Sequence, residues 1–420
     1  KVSGREIKAY FRKTFRNRRR KRKMEKREFL EKYIADRHNT NCSKWDGLKE
    51  KFGEDGLLPM WVADMEFKTC DGITDALVER AKQGIFGYGV VPDEYYELFS
   101  KWMERHHGFS VKKDWVRFCT GCVTAIAWMI HAYTQPGDAC LILTPVYYPF
   151  HNVVTNNNRK LVTADLKYEN GYFSMDYDAI EQAITENDVK LFLMCSPHNP
   201  AGRVWTEEEL DHVLAICKKH NVLVVADEIH QDIVFGENHF VPAAAVAEGK
   251  YQDILLVLNS SSKTFNLASL IHSHIIIINE ELREKYDQFA SGLNRTEVSV
   301  MGMVATMAGY KTGDEWLSNV LEVIGDNYKY LKETLETELP GVVVCSMEGT
   351  YLPMIDLRAW VKPEETHDFI QGKCRLAVDY GEWFGVGYEG FIRMNLATDP
   401  VFVKQAAETI IREAKKLKEK

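Results

Sequence analysis

No apolar run in the 420 residues approaches the roughly 20 needed to span a bilayer, and the runs present, such as residues 254–258 and 275–278, are strand-sized. No membrane association is expected, and no secretory signal either, because nothing apolar follows the basic N-terminus. Internal repeats and low-complexity segments are missing, which excludes solenoid and fibrous architectures. Disulfide patterning is missing too. The nine cysteines are odd in number and scattered, as in a reducing compartment, so a cytoplasmic location is expected. One C-x-x-C occurs, Cys119-Thr-Gly-Cys122, with no second pair and no neighbouring histidine pair, so neither a zinc nor a redox site is read from it.

Acidic residues are scarce only at the start. Residues 1–23 hold 12 Lys/Arg against Glu6 alone, a local +11; the overall −8 therefore leaves −19 for the remainder. An acidic body is a poor nucleic-acid binder. The run Arg16-Asn-Arg-Arg-Arg-Lys-Arg-Lys23 ends directly before Met24, where a normal-looking start begins. An Arg/Lys run is also what a purine-rich ribosome-binding site encodes when read as codons. Residues 1–23 are therefore expected to be a basic extension, disordered or not native to the protein.

What is present is a soluble globular composition, 45% hydrophobic and 11% aromatic, in a chain too long for one ordinary core. Residues 24–66 read as an N-terminal arm that joins a smaller domain, with a short helix over 27–37. From about 115 to 280, short apolar stretches at 116–119, 139–143, 189–195, 222–226, 254–258 and 275–278 alternate with helical patterns. That alternation predicts an α/β fold, a three-layer α/β/α large domain (67–310) around a mostly parallel sheet. Between two of those strands, Thr206 with Glu209 three residues on predicts a capped helix over 206–219. After about 310 the texture changes: a long helix at 315–339, three short strands, and a last helix opening at Asp399-Pro400. This is the smaller α+β C-terminal domain, 311–420.

The chemistry-bearing residues fall just after the strands. Cys119-Thr-Gly-Cys-Val-Thr-Ala125 is a glycine turn opening an apolar helix, whose free N–H groups suit a phosphate. Tyr147, in Thr144-Pro-Val-Tyr-Tyr-Pro-Phe150, can stack on a planar ring or pack in the core. Asn199 stands between two prolines in Ser196-Pro-His-Asn-Pro-Ala-Gly202, fixed as a ligand donor or merely part of a turn. Asp227, in Ala226-Asp-Glu-Ile-His-Gln-Asp232, is a carboxylate at a buried strand end, which is costly unless paired; His230 follows it. Asp, Glu and His together also suggest a metal, but the spacing of a conventional ligand set is absent. Lys263, centred in Asn259-Ser-Ser-Ser-Lys-Thr-Phe-Asn266, lies just past a core strand where its amine can be desolvated and its pKa lowered, as a Schiff-base lysine requires.

In this order the motifs resemble the fold-type I pyridoxal-phosphate (PLP) enzymes, the aspartate aminotransferase superfamily. Trp61-Val-Ala-Asp-Met65, Asp227-Glu-Ile-His230 and Ser262-Lys-Thr-Phe-Asn266 resemble its MalY/PatB branch, the cystathionine β-lyase-like C–S lyases. The likeness runs from about residue 36 to the C-terminus. It implies that Lys263 carries the cofactor covalently and moves protons at the substrate Cα. It implies that Asp227 pairs with the pyridine nitrogen, Asn199 and His230 with the phenolic oxygen, and that Tyr147 stacks on the ring. It further implies that backbone groups of Cys122 and Val123, with Ser260 and Ser262, hold the phosphate. Tyr88, in Phe86-Gly-Tyr-Gly89, matches the tyrosine that reaches the phosphate from a partner subunit, so a homodimer with shared active sites is implied. Arg393, in Gly390-Phe-Ile-Arg-Met-Asn395, matches the clamp for the substrate α-carboxylate.

Two departures stand out. Ile271 occupies the position eight residues after the lysine where many members have a phosphate-binding arginine, and the Cys122 and Thr124 side chains are not the usual ones in their loop. The expected activity is β-elimination from L-cystathionine or a related L-cysteine thioether, giving a thiol, pyruvate and ammonia. Transamination of an L-amino acid would use the same residues and is the alternative. A regulatory binder that kept the fold without activity would have no need of Lys263, Asp227 and Arg393 together.

Overall fold

Six apolar runs and one amphipathic strand build a seven-stranded sheet. The computed structural model describes residues 24–293 and 298–418; the basic extension at 1–23 lies outside them. The strands are β1 (Val116–Cys119), β2 (Ala139–Thr144), β3 (Lys160–Asp165), β4 (Val189–Cys195), β5 (Leu223–Asp227), β6 (Leu255–Asn259) and β7 (Ser273–Ile276). Their spatial order is β1-β7-β6-β5-β4-β2-β3. Neighbours from β3 through β6 pair parallel, and β7 alone runs antiparallel, between β6 and β1. Both faces are covered, as an almost purely parallel sheet requires. The inner strands are buried at nearly every position, which is why they read as continuous apolar runs.

Two sequence expectations shift. The last strand is Ser273–Ile276 rather than 275–278, because its pairing register is fixed by Cys119 and Asn259 opposite Ser273 and His274. The edge strand β3 escaped notice, since its burial alternates and half its residues are polar. The helix Glu207–Lys219 forms as its sequence predicts. Thr206 Oγ1 accepts from the Glu209 N–H, and the Glu209 carboxylate accepts from the Thr206 N–H.

A second, antiparallel sheet lies toward the C-terminus: β8 (Val343–Val344), β9 (Met354–Asp356), β10 (Asp379–Tyr380) and β11 (Phe391–Arg393), in the order β8-β9-β11-β10. The 25-residue helix Asp314–Glu338 and the terminal helix Pro400–Lys418 pack against each other beside it. The N-terminal segment joins this region through Leu58–Pro59, which pairs in parallel with Leu376–Ala377. Among the described residues, no helix is long and apolar enough to cross a membrane.

Candidate active site

The C-terminal ends of β1, β2, β4, β5 and β6 point to one cavity of about 200 Å³, where open parallel sheets bind ligands. Cys122, Val123, Tyr147, Asn199, Asp227, His230, Ser262 and Lys263 all line it. Residues read from five separate motifs thus converge. Lys263 also borders a second cavity of about 620 Å³ that opens among Arg37, Asp64, Glu66 and Ser269.

Lys263 sits in the short helix Ser261–Thr264 immediately after β6. Its Nζ donates to the Ala63 carbonyl at 2.6 Å. Burial holds its pKa down to about 8; Asp64 and Asp227 oppose that fall, and Arg393 adds to it. Asp227 closes β5, is only 4% exposed, and accepts a single backbone hydrogen bond, from Ile229 N at 3.2 Å. Burial pushes its carboxyl up to about 6, with Lys263 pulling it back. A carboxylate enclosed beside an amine, with no side-chain partner of its own, is ready for a ligand that brings a proton on nitrogen. The His230 imidazole is buried and held well below its usual pKa, and its Nδ1 has no partner among the described residues. Beside Asp227, Glu228 accepts from Ala243 N at 2.7 Å, and burial raises it to about 8.

Arg393 is buried at the end of β11. Its Nη1 donates to Asn199 Oδ1 at 2.9 Å and its Nη2 to the Trp61 carbonyl at 3.2 Å. Nη2 also pairs with Asp379, directly across the sheet in β10, and Nε has no partner among the described residues. Asp379 was invisible in the sequence, because its pairing with Arg393 exists only through the register of two short strands. Tyr351 was missed as well, because its contact joins two loops 288 residues apart: its hydroxyl donates to the Ala63 carbonyl at 2.8 Å, beside the Lys263 amine.

Two expected residues sit differently from the rest. Ser260 does not line the cavity. Its hydroxyl donates to the His272 carbonyl at 2.7 Å and accepts from Ser262 N at 3.1 Å, so it caps the lysine's helix from behind the wall. Tyr88 is 96% exposed, in a stretch with Ile85, Phe86 and Val90 also outside, and does not reach this chain's own cavity.

The segment Trp61–Phe67 is fastened on both sides. Asn266, three residues after the lysine, bonds to Met65 N, Met65 O and Phe67 O; Asn395, two after the arginine, donates to Val62 O and Asp64 O. Among the described residues, no group of three or more His, Cys, Asp or Glu is placed to hold a metal ion.

A family model described as aminotransferase class I and II matches residues 59–410, most of the chain. Cystathionine beta-lyase PatB of Bacillus subtilis is 34% identical over 361 residues, 86% of this chain and 93% of PatB. Protein MalY of Escherichia coli is 30% identical, again over 86% and 93%. The chain belongs to the class I and II aminotransferase family, in its MalY/PatB branch. Solved structures in the same family agree. A PLP-bound putative aminotransferase from Clostridium difficile 630 superposes with a TM-score of 0.87 at 37% identity, covering 91% of this chain and 98% of its own. A PLP-bound C-S lyase from Staphylococcus hominis gives 0.85 at 33%, over 90% and 96%. The cavity's groups fit that cofactor: an enclosed amine, a lone carboxylate, an aromatic wall and, at the far end, the first N–H groups of helix Cys122–Tyr133.

Proposed function

We propose that this protein is a PLP-dependent carbon–sulfur β-lyase that cleaves L-cystathionine or a related L-cysteine thioether to a thiol, pyruvate and ammonia. The observation that carries the reading is the Lys263 amine, held near a pKa of 8 in the same cavity as the Asp227 carboxylate, which accepts one backbone N–H and has no side-chain partner among the described residues. Similarity to relatives named as cystathionine beta-lyases directs it toward elimination.

PLP supplies an aldehyde that bonds amines and a ring that accepts the electron pair left when a Cα–H bond breaks. This chain's residues do the rest. Lys263 would hold the cofactor, and its amine would move the proton at the substrate Cα. Asp227 keeps a proton on the ring nitrogen, and its charge favours electron flow toward that end. Asn199 and His230 would hold the phenolic oxygen, and Tyr147 would stack on the ring. Cys122 and Val123 backbone groups with Ser262 would hold the phosphate, while Ser260 fixes the turn behind them. Arg393 binds the α-carboxylate through its free Nε edge, steadied by Asp379 and Asn199. The neighbouring cavity at Arg37 and Asp64 gives the departing thiol somewhere to go.

Tyr88 is read as the phosphate-contacting residue of a partner subunit's site, which makes the enzyme a homodimer. The exposed apolar run Ile85, Phe86, Tyr88 and Val90 supports this, because monomers seldom leave such a patch in water. Removing the ring by Tyr88→Ala is expected to weaken PLP affinity by about tenfold. Wild-type affinity in that variant, read by equilibrium dialysis, would place the tyrosine outside the site. All nine cysteines are free thiols, which supports the cytoplasmic assignment.

The test is pyruvate release from L-cystathionine by the PLP-loaded protein without added keto acid. Sustained turnover is expected. A single turnover, renewed only when a keto acid is supplied, would mean transamination instead, the activity named for the C. difficile neighbour.

A further inference from the structure

One wall of the cavity includes a buried histidine, one of whose ring nitrogens has no partner among the described residues. His272 lines the cavity between Ile271 and Ser273, is 5% exposed, and has an unpartnered Nδ1. Its other nitrogen is fixed by a relay. His272 Nε2 lies 2.6 Å from Tyr95 Oη, which also bonds His274 Nε2. His274 Nδ1 stands 2.7 Å from Asn259 Oδ1, and the Asn259 amide donates in turn to Gln231 Oε1. An amide oxygen only accepts, so His274 donates from Nδ1 and its Nε2 accepts a hydrogen bond from the Tyr95 hydroxyl. The Tyr95 oxygen is then left to accept from His272 Nε2–H. This ordering puts a lone pair on His272 Nδ1. Phe118 stacks on the ring and Tyr95 meets it edge-on, which holds its orientation.

The chain reaches His272 through a costly conformation. Ile271 has φ 46° and ψ 58°, a left-handed backbone that β-branched residues rarely adopt, and its side chain is 52% exposed. Such strain persists where surrounding contacts over-determine it, commonly at ligand clamps.

We propose that His272 Nδ1 is a ligand of the cofactor's 5′-phosphate, with one proton shared between Nδ1 and a phosphate oxygen. The inference rests on the PLP reading above. The proton arrives either on the phosphate as its monoanion or from water onto the imidazole, so the complex holds one proton more than neutral imidazole plus dianion. The other titratable groups nearby do not supply it. Burial keeps the Tyr95 phenol and the Cys122 thiol protonated and His274 neutral. Lys263 and Asp227 are committed at the ring end of the cavity. With nothing anionic before it, burial holds His272 itself down to about 4. The phosphate's contribution to affinity therefore weakens as pH rises past neutrality.

The test compares PLP with pyridoxal, which lacks only the phosphate, by equilibrium dialysis against the apoprotein at pH 7. His272→Gln keeps an amide near Nε2, for Tyr95, but nothing at Nδ1. His272→Asn puts an amide nitrogen near Nδ1. For His272→Gln, PLP is expected to bind about 10- to 100-fold more weakly while pyridoxal changes less than about twofold, and for His272→Asn both stay within about threefold of wild type. Wild-type PLP affinity in His272→Gln, or equal losses for PLP and pyridoxal, would overturn the assignment while leaving the cofactor reading intact. Wild-type protein that bound neither compound would overturn both.

Discussion

Lys263→Ala is expected to lower pyruvate release from L-cystathionine by about 10⁴-fold or more, because among the described residues no other amine borders the cavity to take the Cα proton. Asp227, Glu228 and His230 stand nearby but cannot substitute. Asp227 is reserved for the ring nitrogen in this reading, Glu228 is turned to the Ala243 amide and kept neutral by burial, and His230 is a very weak base. The wild-type apoprotein gives the same assignment a pH signature. Only the neutral amine attacks an aldehyde, so the rate of PLP capture should rise with pH and level off above about 8. Absorbance at the wavelength of the lysine-bound cofactor follows the capture, and a pyruvate assay follows the turnover. Appreciable turnover in the alanine variant, or a flat capture profile from pH 6 to 9, would remove Lys263 from its role.

The second large effect separates stability from function. Asp227→Asn should cost about 10² to 10³ in kcat, since a neutral amide cannot balance a protonated ring nitrogen. The same change should stabilise the apoprotein. Folding raises the Asp227 pKa from 3.8 to about 6, so the folded state holds that proton more tightly than the unfolded chain does. At pH 7 both states are ionised, and the buried charge costs about 3 kcal/mol. That penalty grows as pH climbs from about 4 to 6 and is absent below. Thermal unfolding of the apoprotein should therefore show a gain in Tm for Asp227→Asn at pH 7 that vanishes by pH 4. A variant less stable than wild type at pH 7 would mean that Asp227 has a partner in the apoprotein after all.

Much of this architecture was written locally. The inner strands are apolar because both their faces are covered, and each chemical motif directly follows one of them, so Lys263, Asp227, Asn199 and Tyr147 could be named from short stretches alone. The failures share one cause, which is that their information is not local. Edge strand β3 alternates too weakly to announce itself, and the start of β7 is set by its two neighbours. Asp379 acquires meaning only when β10 lies against β11, and the orphaned His272 nitrogen only when Tyr95, 177 residues earlier, fixes the opposite side of its ring. Ser260 carried the right residue type in the right motif, yet a turn of backbone sends its hydroxyl behind the wall.

The seven residues from Trp61 to Phe67 act as a gauge. Asn266 ties them to the loop bearing the lysine, Asn395 ties them to the strand bearing the arginine, and the Ala63 and Trp61 carbonyls touch the two charged ends directly. The spacing between proton carrier and carboxylate clamp is thus copied from one strip of backbone rather than negotiated between two sheets. Losing a single residue from that strip would shift both groups at once. New substrates are then more readily admitted by changing side chains around the neighbouring cavity than by changing the length of the strip.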